Sequence, residues 1–260
     1  MSNGSGINTK RLRRTQENPT VAMGASVASQ IFSRLGDEMT APLHEATQAC
    51  LRLLAANLSA DHKKQLEGVV RLMGVAAARS SSYVDLLRLD AGELVMKSDT
   101  LDIEEIIAKA VSNAQPMAKA KGLALVAERS IRPLPSVSAD LERLFQILGN
   151  LIGNAIKFTE RGQVTITTEI YDRSIAVHIV DTGTGIPAEA LPRLFEDFFH
   201  RNTGKKNEPK RAGLGLTLCR KLVARLGGDL WVSSTVGAGS RFSFTIPRAV
   251  DSAGRARITP

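Results

Sequence analysis

Residues 150–159 read Asn-Leu-Ile-Gly-Asn-Ala-Ile-Lys-Phe-Thr and end a helical pattern that begins at about residue 140. Positions three and four apart lie on one side of a helix, so Asn150, Asn154 and Lys157 share a polar face. Amide oxygens are suitable ligands for Mg²⁺, and a lysine one turn further on can neutralise phosphate. A solvated surface stripe is the alternative, and this spacing alone does not decide between the two.

Two glycine-containing segments follow further along the chain. Residues 181–187, Asp-Thr-Gly-Thr-Gly-Ile-Pro, come directly after an apolar strand. Asp181 can accept a hydrogen bond from an adenine amine there, and Gly183 and Gly185 let the backbone approach the base closely. Residues 213–216, Gly-Leu-Gly-Leu, open a helix whose first N–H groups and dipole favour phosphate. Each segment alone is weak, because either can be a simple turn.

The patterns around these segments predict an α/β sandwich. Apolar periodicity predicts helices at residues 102–120, 140–158 and 214–226. Alternating or β-branched runs predict strands at about residues 123–128, 164–171, 175–181, 229–234 and 240–246. Asp172-Arg173 is expected to form the turn of one β-hairpin, and residues 236–239 the turn of the last one.

The amino-terminal part predicts two long helices. Apolar residues recur at helical spacing over residues 21–57, with a kink expected at Pro42, and over residues 60–89, where Asp61 is expected to cap the start. One helical hairpin cannot bury both of its apolar faces, so we expect a dimeric four-helix bundle. The alternative is a hairpin that packs against its own downstream domain.

The length of 260 residues fits two packed units with tails. Changes in pattern place a flexible basic tail at residues 1–20, a dimerisation hairpin at 21–97, an ATP-binding α/β domain at 98–248 and a second flexible tail at 249–260. The polar helix face and the two glycine-containing segments indicate a phosphate-bearing adenine nucleotide as the ligand of the α/β domain.

The net charge of +8 raises the question of nucleic acid. Basic residues are dense only at residues 10–14 and 205–211, without zinc-finger spacing or base-stacking aromatics, so we expect no nucleic-acid binding. No apolar run is long enough to span a bilayer, and no signal-peptide core is present. Cys50 and Cys219 lie in apolar helical patterns and are expected to be reduced and buried, which fits a cytoplasmic location.

Taken together, the order and spacing of these segments resemble the ATPase domain of histidine kinases, in the wider family that includes gyrase, the Hsp90 chaperones and MutL. The similarity covers about residues 99–247. Its motifs are the N box at residues 150–159, the G1 box at 181–185, the F box at 194–199, the G2 box at 213–216 and a closing glycine-rich turn at 237–242. Residues 89–94, Leu-Asp-Ala-Gly-Glu-Leu, resemble the usual junction from the helical hairpin.

The resemblance implies a site for ATP and Mg²⁺. Asn154 is then expected to ligate Mg²⁺ with Asn150 beside it, Lys157 to contact phosphates and Asp181 to read adenine. The other expected nucleotide contacts are Gly183, Gly185, Gly213, Leu214, Gly215 and Leu216, with Gly213 and Gly215 in a mobile lid. The family often has an acid or a histidine where this chain has Gln146, which is expected to position rather than to act as a base.

The first hairpin helix departs from the family at the phosphoacceptor. Relatives carry a motif like Phe-x-x-x-x-Ser-His-Glu-Leu-Arg-Thr-Pro-Leu, and Glu38, Pro42 and Leu43 set its register on the segment 32–43, with the motif's phenylalanine one position before Phe32. This register puts Asp37 where the histidine belongs. A neutral imidazole is a good nucleophile towards phosphate, whereas a carboxylate with a pKa of about 4 arrives negatively charged.

Three functions follow as hypotheses. The first is a dimeric signalling protein derived from a kinase that binds ATP and Mg²⁺, lacks the standard phosphoacceptor, and acts by conformational coupling or by pairing with another histidine kinase. The second is a working histidine kinase that uses His44 or Asp37 and passes phosphate to a response regulator; His44 lies seven residues past Asp37 and faces almost the same way. The third is another ATPase of the superfamily, which the hairpin and its junction argue against. The candidate catalytic residues are Asp37, Glu38, His44 and Gln146.

Overall fold

The computed structural model of the chain describes residues 19–56, 58–196 and 214–249. Its helices are α1 Pro19–Leu54, α2 Ala60–Asp90, α3 Ile103–Ala120, α4 Leu141–Phe158 and α5 Leu214–Arg225. Its strands are β1 Asp99–Leu101, β2 Ala124–Ala127, β3 Val137–Ala139, β4 Gln163–Ile170, β5 Ser174–Asp181, β6 Leu230–Thr235 and β7 Gly239–Pro247. A helical amino-terminal region is therefore followed by an α/β sandwich, which confirms the predicted fold class.

Several predictions concern residues outside these ranges. Almost all of the two expected tails, both dense basic runs and Gly213 are among them. The backbone of Asp37 lies in α1, but its side chain is not described. The four domain boundaries drawn from the sequence stay predictions.

The main sheet has the strand order β2-β4-β5-β7-β6, with β2 parallel to β4 and the other pairs antiparallel. Alternate residues of β5 point inward and are fully buried, namely Ile175, Val177 and Ile179. Helices α3, α4 and α5 contribute the other side of the same core. β1 pairs with β3 in a separate two-stranded sheet, which the sequence patterns did not predict.

The start of α2 differs from the prediction. The N-cap is Ser59, whose hydroxyl accepts a hydrogen bond from the backbone N–H of His62 at 3.3 Å. Asp61 lies inside the first turn and accepts instead from the side chain of Gln65 at 2.9 Å. The assignment of Asp61 as the cap was therefore wrong, because a serine two residues earlier has the extended backbone that a cap requires.

The two hairpin helices come very close at Gly36. A Cβ atom there would lie 1.8 Å from Cγ2 of Val84, so a larger residue would have to displace the Val84 side chain. Gly36 directly precedes Asp37, which places the level of the expected phosphoacceptor beside Val84. Pro42 lies inside α1, which continues past it to Leu54.

The carboxy-terminal end of α2 packs against the α/β domain. Asp85 is 4% exposed and its Oδ2 accepts from Nη1 of Arg143 and Nε2 of Gln146, each at 2.7 Å. Lys221 on α5 pairs with Asp90, and Arg225 donates to the carbonyl of Leu94 at 3.1 Å. The hairpin therefore does pack against its own downstream domain, at this end.

The middle of the hairpin keeps its apolar side chains exposed in the single chain. Leu72 is 72% exposed, and Leu51, Leu53, Val69 and Val75 are each at least 43% exposed. These residues have no cover from the α/β domain as described, which packs near Asp85. An apolar surface of this kind is typical of an interaction site.

No helix within the described ranges is long and apolar enough to cross a membrane. Cys219 is buried, as expected, while Cys50 is half-buried, and both are free thiols. Burial raises the pKa of the Cys219 thiol to about 12.

Candidate functional site

The polar face of α4 is set by the burial of its other face. Leucine, isoleucine and alanine side chains of α4 are buried in the core, and the helix is capped by Asp140, which accepts from the N–H of Arg143 at 3.1 Å. Asn150 and Asn154 are then half-buried and Lys157 is exposed. The structure thus places these three side chains on the accessible side of α4, as their spacing predicted.

Asp181 ends β5 in a buried position. It is 4% exposed, and its Oδ1 accepts from the backbone N–H groups of Gly183 at 2.8 Å and Ser240 at 3.3 Å. Burial raises the pKa of this carboxyl, although the two hydrogen bonds act in the opposite direction. Both of these donors reach the same oxygen, so Oδ2 is the atom that can accept from the amine of a base.

The loop after Asp181 packs closely between the end of α4 and the end of β6. A Cβ atom on Gly183 would lie 2.4 Å from the carbonyl oxygen of Phe158, at the end of α4. A Cβ atom on Gly185, whose φ is +66°, would lie 2.0 Å from the carbonyl oxygen of Thr235, at the end of β6. The glycines therefore permit close backbone packing within the protein, in addition to the approach to a base that stays a prediction.

The start of α5 lies beside the middle of α4. A Cβ atom on Gly215 would come within 3.0 Å of Oδ1 of Asn150, and the Asn150 side chain also hydrogen-bonds the thiol of Cys219. Leu214 is buried and Leu216 is half-buried, so their side chains pack rather than face solvent. The N-box and G2-box segments therefore meet in space at Asn150.

The F-box segment contacts α5 through the last residues before the gap at 197–213, where the structure is not described. The hydroxyl of Thr217 donates to the carbonyls of Phe195 at 3.3 Å and Glu196 at 3.1 Å. The guanidinium of Arg220 lies over the ring of Phe195, 5.5 Å from its centre. The rest of the F box, residues 197–199, falls outside the described chain.

The proposed catalytic residues are not brought to this region by any described contact. Gln146 donates to Asp85 on α2 and accepts from Arg143 at 3.0 Å, so its partners belong to the hairpin contact. Glu38 and His44 are exposed on α1. A positioning role for Gln146 stays a prediction, but the group it contacts is a buried carboxylate on α2.

The sequence reasoning missed the backbone partners of the site. The N–H of Ser240 and the carbonyl of Phe158 lie within the motifs that were recognised, and the carbonyl of Thr235 lies just before the last one, yet backbone groups leave no signature in residue types. The glycines opposite them were the available signal.

The chemistry of the site suits a nucleotide with a hard cation. In the described part of the chain, no three His, Cys, Asp or Glu side chains come together as metal ligands. The amide oxygens of Asn150 and Asn154 could hold a cation beside α4, with phosphate and water as further ligands, which is a donor set that Mg²⁺ accepts.

Comparison with known proteins agrees with this geometry. Residues 139–250 match the family described as "Histidine kinase-, DNA gyrase B-, and HSP90-like ATPase". The chain is 31% identical over 242 residues to sensor histidine kinase RcsC of Salmonella typhimurium, a match that covers 89% of this chain and 25% of RcsC. It is 28% identical over 227 residues to the autoinducer 2 sensor kinase/phosphatase LuxQ of Vibrio cholerae, covering 86% of this chain and 26% of LuxQ.

Among solved structures, full-length ShkA in complex with AMPPNP is similar over 88% of this chain and 46% of ShkA. The TM-score is 0.68 and the sequence identity is 28%. The chain spans about a quarter of the length of RcsC and LuxQ. The similarity thus includes the helical region as well as the α/β domain.

We expect Asp181→Asn to change how stability depends on pH. Because the folded state raises the pKa of Asp181, it holds a proton there more readily than the unfolded chain does. Stability from this group is therefore lost as pH rises from about 4 through the raised pKa. The amide has no charge to bury. The free energy of unfolding of the variant minus that of the unaltered protein should therefore increase across this pH window and then level off.

Urea unfolding over a series of pH values measures this difference. Asp172→Asn, which removes an exposed carboxylate from the β4–β5 turn, is the control for the loss of one charge. A difference between Asp181→Asn and the unaltered protein that is constant with pH would contradict the assignment of a raised pKa.

Proposed function

We propose, since this chain has the core of a sensor histidine kinase, that it is an ATP- and Mg²⁺-binding protein of two-component signalling that lacks the usual phosphoacceptor. The observation that supports the proposal is that the G1-box and G2-box segments both lie against α4, which carries the N box. A Cβ atom on Gly183 would lie 2.4 Å from the carbonyl oxygen of Phe158, and one on Gly215 would lie 3.0 Å from Oδ1 of Asn150.

In this proposal each part of the site has a separate task. Asp181 accepts a hydrogen bond from the adenine amine through Oδ2, while backbone donors hold Oδ1. Asn154 and Asn150 hold Mg²⁺, and Lys157 contacts phosphate. The cation, when bound, neutralises phosphate charge. The complex of ShkA with AMPPNP, a protein 28% identical to this chain, supports nucleotide binding here.

The position of Asp37 supports the loss of histidine phosphorylation. Gly36 packs against Val84, and the next residue of α2, Asp85, contacts Arg143 and Gln146 of the α/β domain. This level of α1 therefore lies beside a contact between α2 and the α/β domain. His44 is seven residues further on, or about 10 Å along the helix, so it lies well away from this level.

Exposed apolar residues on the hairpin support a homodimer. Leu72 and Val75 on α2 and Leu51 and Leu53 on α1 remain uncovered in one chain. Pairing two hairpins would bury them in a four-helix bundle. A dimer also offers a means of signalling without phosphotransfer, because nucleotide binding can change how the hairpins pack or which partner they accept. The partner in this proposal is a response regulator or another histidine kinase, in the cytoplasm.

The phosphorylation test is incubation of the intact protein with Mg²⁺ and γ-labelled ATP. We expect no covalent label on the unaltered protein, because Asp37 is a poor acceptor for a polyanionic phosphate. We expect Asp37→His to gain a label that is labile to acid and stable to base, since it restores the imidazole at the docked level.

Label on the unaltered protein would contradict the proposal, and its chemistry would identify the acceptor. An acid-labile label that disappears in His44→Ala would assign His44. A hydroxylamine-sensitive label that disappears in Asp37→Asn would assign an aspartyl phosphate.

We expect the protein to sediment as a dimer, at about twice the chain mass of 27.9 kDa. Leu72→Glu should shift it towards the monomer, because it places a charge in the apolar surface that pairing buries. Arg71→Glu, at the exposed neighbouring position, is the matched control and should leave the dimer intact. A monomeric unaltered protein, or a Leu72→Glu variant that dimerises as before, would contradict the bundle.

A further inference from the structure

Lys121 holds the end of the helix that carries the nucleotide motif. It is the C-cap residue of α3, and its ammonium reaches across to the last turn of α4. Nζ donates to the carbonyls of Ile156 at 2.8 Å, Lys157 at 2.8 Å and Thr159 at 3.2 Å. An ammonium has three N–H donors, so these contacts use all of them.

The remaining carbonyl in this turn has a different partner. Phe158 lies between the residues that Lys121 binds, and its oxygen accepts from the N–H of Thr184 at 3.3 Å. The same oxygen is the atom that Gly183 approaches closely. Lys121 therefore holds the carbonyls on both sides of the one that meets the loop after Asp181, which fixes the path of the last turn of α4 against that loop.

The charge of Lys121 matters because of the direction of α4. The carboxy-terminal end of a helix carries about half a negative charge on its last carbonyls. Asn154 and Lys157 lie in the last two turns of α4, so phosphates bound there would face the unfavourable end of the helix dipole. The positive charge of Lys121, although its side chain is exposed, offsets part of this negative charge at three carbonyls.

We infer that Lys121 is a positioning residue for the phosphates of the nucleotide, acting through the carboxy-terminal turn of α4 rather than by contact. The inference rests on the proposed function of ATP binding. It assigns to the α3–β2 connection a role in discriminating nucleotides by their phosphate charge, separate from the reading of adenine by Asp181.

The chain offers a matched control in Lys119. This residue is exposed in the last turn of α3, two positions before Lys121. Lys119→Met and Lys121→Met remove the same charge from nearly the same place. Only Lys121→Met removes the hydrogen bonds to α4.

The experiment is calorimetric titration of the intact protein with ATP and with ADP in the presence of Mg²⁺, and with adenosine by displacement. For Lys121→Met we expect ATP affinity to fall about three- to tenfold, ADP affinity to fall less, and adenosine affinity to change least. Lys119→Met should resemble the unaltered protein, and Lys121→Arg should recover most of the ATP affinity.

If Lys121 had a purely structural role, Lys121→Met would lose affinity for ATP, ADP and adenosine equally, and that result would overturn the inference. Normal ATP binding by Lys121→Met would also overturn it. Should Lys121→Met not fold, Lys121→Gln replaces it, since the amide still donates to carbonyls without a charge. We expect the same order of lost affinity, largest for ATP, smaller for ADP and smallest for adenosine. If the unaltered protein binds no ATP, the proposed function fails and this inference with it, whereas normal binding by the uncharged Lys121 variants overturns this inference alone.

Discussion

The burial of one face of α4 is the constraint on which the rest of the structure depends. Seven apolar residues of this helix are buried in the core, namely Leu144, Ile147, Leu148, Leu151, Ile152, Ala155 and Ile156. Since they fix the rotation of the helix, the polar residues Asn150, Asn154 and Lys157 have only one direction available. Asn150 lies beside the start of α5, and the end of α4 lies against the loop after β5.

The same helix joins the nucleotide region to the hairpin. Gln146 and Arg143, one and two turns before Asn150, bind the buried Asp85 of α2. A buried carboxylate needs its partners, because it is costly to leave a charge unpaired away from water. Helix α4 therefore carries both the proposed nucleotide contacts and a buried contact with α2, an arrangement that suits the proposed signalling by coupling between domains.

Much of the fold could be predicted from the sequence, because the patterns that determine it are local. The apolar periodicity of α4 and the alternation in β4 and β5 each lie within one element. β1 and β3 were missed, since they are three residues long and pair across some 36 residues. The partners of Lys121, the N–H of Ser240 and the contact between Asp85 and Gln146 were missed for a related reason: each joins segments far apart in the chain.

The most direct test of the central claim is calorimetric titration of the intact protein with ATP, with and without Mg²⁺, beside Asp181→Asn. The account predicts Mg²⁺-dependent binding in the micromolar range by the unaltered protein. It predicts loss of binding in Asp181→Asn, because an amide has one acceptor oxygen where the carboxylate offers one to the backbone and another to adenine. ATP binding that is absent from the unaltered protein, or that survives unchanged in Asp181→Asn, would contradict it.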